Sequence, residues 1–291
     1  MPTTILEKYR DVIIQMMKAS SQAATVTEKN VFQPGNLSNR PYIEKILLNQ
    51  MREGSRIVGL ENIEDLHRRC GEGKSCLILM EHYSNFDLPA FVYLLEQSGP
   101  RGRAAADSII AIAGFKLNAE SAVVRAFTEA YSRIVIYPSR SFDSIADPEV
   151  LREERKKSNL INRAALHEMI RRKHEGHIIL VFPSGTRYRP GRPETKRGLK
   201  EIDSYIKAFD YMVFVGSGGN LLRLGPSGDM EVDILAEDTV VFKAGPVTDC
   251  GEFRLRAHGE APQEGDAKQF TADRVMEALE DLHNEVEALR G

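Results

Sequence analysis

The sequence predicts an α/β protein with a mixed central sheet flanked by helices and a short helical N-terminal extension. Short apolar runs typical of buried strands alternate with amphipathic segments typical of helices. Apolar residues make up 42% of the chain and charged residues 28%, which is ordinary for a globular protein. A chain of 291 residues is long enough for one large α/β domain with a helical appendage. We therefore predict a helical N-terminal extension at residues 1–50 and an α/β domain at residues 51–291.

The first predicted helix lies within residues 1–22 and is amphipathic. Six apolar side chains share one side of it at helical spacing: Ile5, Tyr9, Val12, Ile13, Met16 and Met17. Such a stripe is typical of a helix that packs onto the main domain. The alternative is a helix that lies on a membrane surface, but Glu7 and Asp11 dilute the basic face that anionic lipid would attract. Residues 24–41 are rich in Asn, Pro, Ser, Thr and Gly and predict a linker or loop.

The remaining elements follow from the period of the apolar residues and from the residues that start or stop helices. Helical patterns cover residues 42–51, 61–70, 87–99, about 110–131, 148–173 and 268–289. In the third of these, Pro89 lies in the first turn and Gly99 at the exit. Short apolar runs bounded by turn residues predict strands at residues 55–59, 74–80, 133–139, 177–186, 211–219, 230–236, 239–245 and 253–259.

Composition and charge exclude several classes of protein. The net charge of −3 gives no overall basic field, so we expect no nucleic-acid partner. Cys70, Cys76 and Cys250 have no metal-binding spacing and predict reduced thiols and no metal site. The sequence has no run of the ~20 apolar residues that a membrane-spanning helix needs, and its first residues lack the pattern of a secretion signal. We therefore expect a cytoplasmic protein that contacts the inner face of the membrane at most peripherally.

Three predicted strands each end in a polar turn: "LILMEHYSNFD", "RIVIYPSRSF" and "IILVFPSGTRYRPGR". Ligands of open α/β sheets bind beyond the carboxyl ends of the strands. If these ends lie together, His82 and Asp87 meet the guanidinium groups of Arg140, Arg187 and Arg189. An imidazole can then accept a proton from a hydroxyl group, a carboxylate can fix the tautomer of that imidazole, and arginines can bind a phosphate. These side chains predict a site that deprotonates a hydroxyl group of a phosphorylated molecule.

Each part of this site also has a structural interpretation. His82 and Asp87 alone fit a hydrogen-bonded pair that only stabilises the fold. The basic turn at residues 182–190 alone fits a solvated loop, and Arg140 alone fits an exposed arginine. The combination of three polar strand ends is what favours a functional site.

Two of the three turns resemble those of a known family. The stretch "HYSNFD" resembles the H-x4-D motif of glycerolipid acyltransferases, and "FPSGTR" resembles their F-P-E-G-T-R motif. Ser184 in place of the Glu, and Arg189 two residues beyond the first arginine, are similar to the soluble, chloroplast-type glycerol-3-phosphate acyltransferases. Residues 109–142 also resemble the segment of that family that leads to a basic substrate-binding pair. The resemblance covers about residues 55–220, and its motifs are specific as a set.

The resemblance implies a role for each residue that matches a motif. His82 is implied to be the general base, and Asp87 the carboxylate that orients it. Ser139 stands where the family has the first member of its basic pair, and Gly216 ends a strand where the family's fourth motif usually has a Pro. The second member of the basic pair and the residues of the second turn are implied to bind the phosphorylated substrate: Arg140, Ser184, Gly185, Arg187 and Arg189.

The implied function is transfer of a fatty acyl group from acyl-carrier protein or coenzyme A to the sn-1 hydroxyl of glycerol 3-phosphate, the first step of phospholipid synthesis. The thioester is a co-substrate, and no further cofactor is implied. Ser84 and Ser184 lie outside a G-x-S-x-G setting, which disfavours a covalent acyl-enzyme. Two alternatives stay open: an acyltransferase that acts on 1-acylglycerol 3-phosphate (lysophosphatidate), and a catalytically idle relative that binds lipid. The implied partners are the acyl thioester, glycerol 3-phosphate and a transiently contacted membrane surface.

Overall fold

The structure is a computed structural model that describes residues 3–21, 25–115, 117, 121–142, 145–225 and 230–290. Only the backbone is described for residues 139 and 140. Ten α-helices lie in these ranges: α1 Ile5–Ala19, α2 Arg40–Gln50, α3 Leu60–Gly71, α4 Asp87–Gln97, α5 Pro100–Ser108, α6 Ala122–Thr128, α7 Pro148–His174, α8 Ile202–Ala208, α9 Cys250–Glu260 and α10 Ala267–Arg290. Eleven strands accompany them: β1 Phe32–Gln33, β2 Arg56–Val58, β3 Cys76–Met80, β4 Ile109–Gly114, β5 Arg133–Ile136, β6 Ile178–Val181, β7 Tyr211–Gly218, β8 Leu222–Arg223, β9 Ile234–Leu235, β10 Val241–Ala244 and β11 Thr248–Asp249.

Nine of these strands form one mixed sheet in the order β1-β5-β4-β6-β3-β7-β10-β2, with β11 paired to β7. The central strands β5, β4, β6, β3 and β7 are parallel to one another. Strands β1 and β10 pair with this parallel centre in the antiparallel sense. In the middle of the sheet, Leu77 of β3 lies opposite Ile179 of β6 and Met212 of β7. The predicted mixed sheet flanked by helices, with a helix at the N-terminus, is confirmed.

The sheet separates two apolar layers, because successive side chains of a strand point to opposite faces. In β3, Cys76, Ile78 and Met80 pack in the layer that contains α1 to α6. Leu77 and Leu79 pack in the layer that contains α7 to α10. All five residues of the strand are buried, as a parallel strand covered on both faces requires. The turn that follows β3 is therefore anchored to a strand that is packed on both sides.

Helix α1 packs its apolar side onto the domain, which is the first of the two interpretations of this helix. Four of its side chains are buried in the same layer as β3: Ile5, Tyr9, Ile13 and Met16. The helix begins with a capping box, in which Thr4 and Glu7 each accept the other's backbone N–H. Across the described part of the chain, no helix has both the length and the apolar character needed to cross a membrane.

Replacement of a buried side chain of α1 by alanine is expected to destabilise the domain. Ile13 is 1% exposed, so Ile13→Ala should lower the free energy of unfolding by about 2–5 kcal/mol through lost burial and the cavity left behind. The neighbouring Ile14 is 39% exposed, and Ile14→Ala makes the same chemical change on the outer face of the helix. Urea unfolding of both variants checks the prediction. Equal losses of stability in the two variants would mean that α1 does not dock in this orientation.

Two predicted elements are wrong. The helix predicted at about residues 110–131 is replaced in its first part by β4, a central strand between β5 and β6. Its helical part is α6, and residues 116 and 118–120 lie outside the described residues. The strand predicted at residues 253–259 lies in helix α9, whose first turn is capped by the side chain of Asp249. A short apolar run fits a buried strand and a helix equally well, so packing against neighbours decides between them.

Candidate active site

Strand β3 ends in a turn that holds His82 against Asp87, the first residue of α4. Nδ1 of His82 lies 3.0 Å from Oδ2 of Asp87. The same carboxylate oxygen accepts the backbone N–H groups of Tyr83 at 2.7 Å and of Ser84 at 2.8 Å. Asp87 is only 5% exposed, so these contacts fix its position within the fold. Because an ionised carboxylate only accepts hydrogen bonds, this contact favours the tautomer of a neutral His82 in which Nδ1 donates and Nε2 can accept a proton.

Strand β6 lies beside β3 and ends in the second turn, which contacts His82 directly. The imidazole of His82 stacks on the ring of Phe182, with the ring centroids 4.0 Å apart. The backbone N–H of Tyr188 donates to the carbonyl oxygen of His82 at 2.7 Å. Gly185 allows the tight turn, because its φ of +63° favours glycine. The buried Ser184 donates its hydroxyl to a backbone carbonyl within the same turn. The two turns therefore form one surface around His82.

Arg187 and Arg189 lie in this second turn but in different surroundings. Nη1 of Arg187 lies 2.5 Å from Oδ2 of Asp233, whose side chain is fully buried. Burial raises the pKa of the Asp233 carboxyl, although the N–H of Gly225 and the Arg187 guanidinium oppose this effect. Nε of Arg189 is buried and has no hydrogen-bond partner among the described residues. A buried N–H without an acceptor costs free energy, so an anion bound at Arg189 would satisfy it.

The third predicted turn follows β5 on the same edge of the sheet. β4 separates β5 from β6, and the three strands are parallel, so their carboxyl ends face the same side. The backbone of Arg140 lies in a short 3₁₀ helix, Ser139–Phe142, whereas its side chain lies outside the described residues. The structure therefore brings His82 and Asp87 together with the arginine turn, and the role of Arg140 stays a prediction.

A second carboxylate–imidazole pair, missed by the sequence reasoning, lies beside the first. Glu81 is 3% exposed, and its carboxylate accepts the backbone N–H of Ser217 at 2.9 Å and the hydroxyl of Tyr83 at 3.1 Å. Nδ1 of His283, on α10, lies 3.3 Å from Oε2 of Glu81 and 2.7 Å from the carbonyl oxygen of Ser217. The C-terminal helix is thus attached to the residue directly before His82. The only signal in the sequence was an acidic residue at the end of an apolar strand, where an unpaired carboxylate would be costly.

This pair predicts a pH dependence of stability. The hydrogen bond to Glu81 raises the pKa of His283, against the opposing effects of burial and of the nearby Lys196. A pKa raised in the folded state stabilises the fold fully below the unfolded value of about 6.5, and this stabilisation is lost as the pH rises through the raised pKa. The wild type should therefore lose stability relative to His283→Gln as the pH increases through this range. Urea unfolding at a series of pH values measures the difference in the free energy of unfolding. His167→Gln on α7 is the exposed control. Parallel curves of unfolding free energy against pH for the wild type and His283→Gln would contradict the prediction.

The geometry places an imidazole against a buried carboxylate, at the carboxyl edge of parallel strands and beside an arginine turn, and such an arrangement can carry out general acid–base chemistry. In the part of the chain that the structure describes, no three His, Cys, Asp or Glu side chains are grouped as metal ligands. The model of the Acyltransferase family matches residues 55–208, which are more than half of the chain and contain both turns. The chain therefore belongs to the Acyltransferase family. A comparison with curated proteins gave no significant match.

Proposed function

We propose that this acyltransferase moves a fatty acyl group from the thioester of acyl-carrier protein or coenzyme A to the sn-1 hydroxyl of glycerol 3-phosphate. The observation that carries the proposal is the His82–Asp87 pair, which leaves Nε2 as a proton acceptor beside the arginine turn. The similarity of Ser184 and Arg189 to the chloroplast-type glycerol-3-phosphate acyltransferases supports this choice of acceptor.

The proposed reaction is a direct attack on the thioester. Nε2 of His82 accepts the proton of the sn-1 hydroxyl as the oxygen attacks the carbonyl carbon. Asp87, whose Oδ2 lies 3.0 Å from Nδ1 of His82, stabilises the imidazolium that forms. The tetrahedral intermediate then collapses, the C–S bond breaks, and the departing thiolate takes the proton from Nε2. The products are the acyl ester and a free thiol, and His82 is again neutral.

The arginine turn supplies the contact to the phosphate of the acceptor. Arg189 donates its Nε–H, which has no other acceptor among the described residues. Arg187 adds positive charge, but Asp233 compensates part of it. A charge-assisted hydrogen bond to phosphate contributes about 1.5–3 kcal/mol. Because the phosphate is held, the hydroxyl group is presented to His82 in a restricted set of positions, which lowers the entropic barrier to attack.

Release of thiol from a long-chain acyl-coenzyme A tests the proposal against both alternatives. We expect release only when an acceptor is present, and we expect it to be faster with glycerol 3-phosphate than with lysophosphatidate at equal concentration. Faster release with lysophosphatidate would assign the second acceptor instead. Lipid binding without any thiol release would identify a catalytically idle relative.

A further inference from the structure

A cavity of about 410 Å³ lies between the His82 turn and the C-terminal helix α10. Tyr83 and Tyr188 line it, with their ring centroids 5.7 Å apart. Ser217 of β7 and His283 of α10 also line it, and the ring of His283 stacks on that of Tyr83 with the centroids 5.1 Å apart. The volume falls in the range of small-molecule sites, about 300–1,000 Å³. The reaction steps proposed above do not involve this cavity.

The cavity lies directly beside the proposed catalytic turn. Strand β7 is the neighbour of β3, and Val215 lies opposite Met80. The pairing continues beyond the strand, because the N–H of Glu81 donates to the carbonyl oxygen of Val215 at 3.2 Å. His82 lies two residues after Met80, and Ser217 lies two residues after Val215. The two residues are therefore side by side on adjacent segments of the chain. A ligand in the cavity therefore lies on the β7 side of His82, and Tyr188 and Pro190 of the arginine turn line the same cavity.

The lining of the cavity contains a hydroxyl group that can form a hydrogen bond and the rings of two tyrosines. Ser217 is 3% exposed, and its Oγ has no hydrogen-bond partner in the described part of the chain. An unsatisfied buried hydroxyl costs free energy, and a ligand with an amide group would satisfy it. Nδ1 of His283 lies 3.3 Å from the carboxylate of Glu81, so a charge on this imidazole is compensated there.

The charged side chains around the cavity form one linked group and one cation outside it. The guanidinium of Arg290 lies 2.8 Å from the carboxylate of Asp238 and 2.5 Å from that of Glu287. Arg223 lines the cavity, is exposed, and forms no ion pair with any described residue. Arg290, Asp238 and Glu287 together carry one net negative charge, and Arg223 is a cation at the solvent-exposed margin with no carboxylate partner among the described residues.

We infer that this cavity binds the phosphopantetheine arm of the acyl donor, with an amide group at Ser217 and the phosphate at Arg223. The inference rests on the proposed acyl transfer from a thioester. Glycerol 3-phosphate is small and strongly anionic, so the net negative charge of Asp238, Glu287 and Arg290 does not suit it. An acyl chain has no group that can bond to the Ser217 hydroxyl. The arm is long and uncharged, hydrogen-bonds through its amides and ends in one phosphate. It therefore matches both the interior and the margin of the cavity.

Calorimetric binding of two fragments, pantetheine and pantetheine 4′-phosphate, tests the two contacts separately. Ser217→Ala removes the buried hydroxyl at nearly constant volume and should weaken both fragments by about 2- to 10-fold. Arg223→Ala should weaken the phosphorylated fragment by about 2- to 10-fold and leave pantetheine unchanged. Arg152→Ala removes a 69% exposed guanidinium from α7 and serves as the matched control.

The inference is overturned if the wild type binds neither fragment, or if the Ser217 and Arg223 variants bind both as the wild type does. Turnover in the thiol-release assay judges the proposed function independently. If the wild type turns over substrate but the variants bind the fragments as the wild type does, only the assignment of the cavity is overturned. If the fragments bind as expected but no thiol is released, only the proposed reaction is overturned.

Coenzyme A and acyl-carrier protein share this arm, and a third ligand distinguishes them. Coenzyme A that binds at least tenfold more tightly than pantetheine 4′-phosphate assigns it as the donor, because its nucleotide part then contributes. Equal affinities of the two ligands assign acyl-carrier protein. Both results support binding of the arm, and absence of binding by all three ligands overturns it.

Discussion

Replacement of His82 by Ala is expected to lower the rate of acyl transfer by about 10²- to 10⁴-fold, because the acceptor hydroxyl loses its general base. The side chain is 19% exposed and lies beyond the end of β3, so we expect the variant to keep a cooperative unfolding transition. Turnover at saturating concentrations of both substrates measures the first effect. Thermal unfolding followed by circular dichroism measures the second.

The matched control for this variant is His167→Ala, which removes an exposed imidazole from α7 and should leave the rate unchanged. Near-normal turnover of His82→Ala would rule out the proposed base. A loss of turnover together with a loss of the cooperative transition would assign His82 and Asp87 to stabilising the fold, which is the structural interpretation of this pair.

Replacement of Arg189 by Ala is expected to raise the KM for glycerol 3-phosphate by about 10- to 150-fold, while the KM for the acyl donor changes little. The loss corresponds to one charge-assisted hydrogen bond to phosphate, about 1.5–3 kcal/mol. Arg189 is a better choice than Arg187 for this test. Removal of Arg187 would leave the buried Asp233 without its cation and would destabilise the fold as well.

Initial rates at varied acceptor and donor concentrations separate the two KM values for Arg189→Ala. Arg189→Lys should lie between the wild type and the alanine variant, because lysine restores the charge without the planar fork of donors. Arg192→Ala removes a 63% exposed guanidinium from the same loop and should have no effect. Equal increases in both KM values would mean that the turn binds the phosphate of the donor instead.

The predictions from the sequence agree best with the structure where a fully buried strand is followed by a turn. β3 and β6 are continuous apolar runs because both faces are covered, and polar residues mark their ends. His82 and Asp87 are close in the chain, so their contact needed only a turn and the start of a helix. The contact between the two turns, through Phe182 and Tyr188, followed from the adjacency of two parallel strands.

The features that the sequence did not predict depend on contacts between distant segments. Residues 109–114 form a central strand because β5 and β6 flank them. A short apolar run does not indicate which strands will pair with it. Asp233 and His283 reach Arg187 and Glu81 only through the tertiary fold. A buried carboxylate must have partners, but the sequence does not say which residues provide them.

Identification of the product is the most direct test of acyl transfer to glycerol 3-phosphate. The purified chain is incubated with a long-chain acyl-coenzyme A and glycerol 3-phosphate, and the lipid formed is quantified by mass spectrometry beside the thiol released. We expect one 1-acylglycerol 3-phosphate for each thiol, and neither product when glycerol 3-phosphate is omitted. Thiol release that is equally fast without the acceptor, with free fatty acid as the product, would contradict acyl transfer to glycerol 3-phosphate.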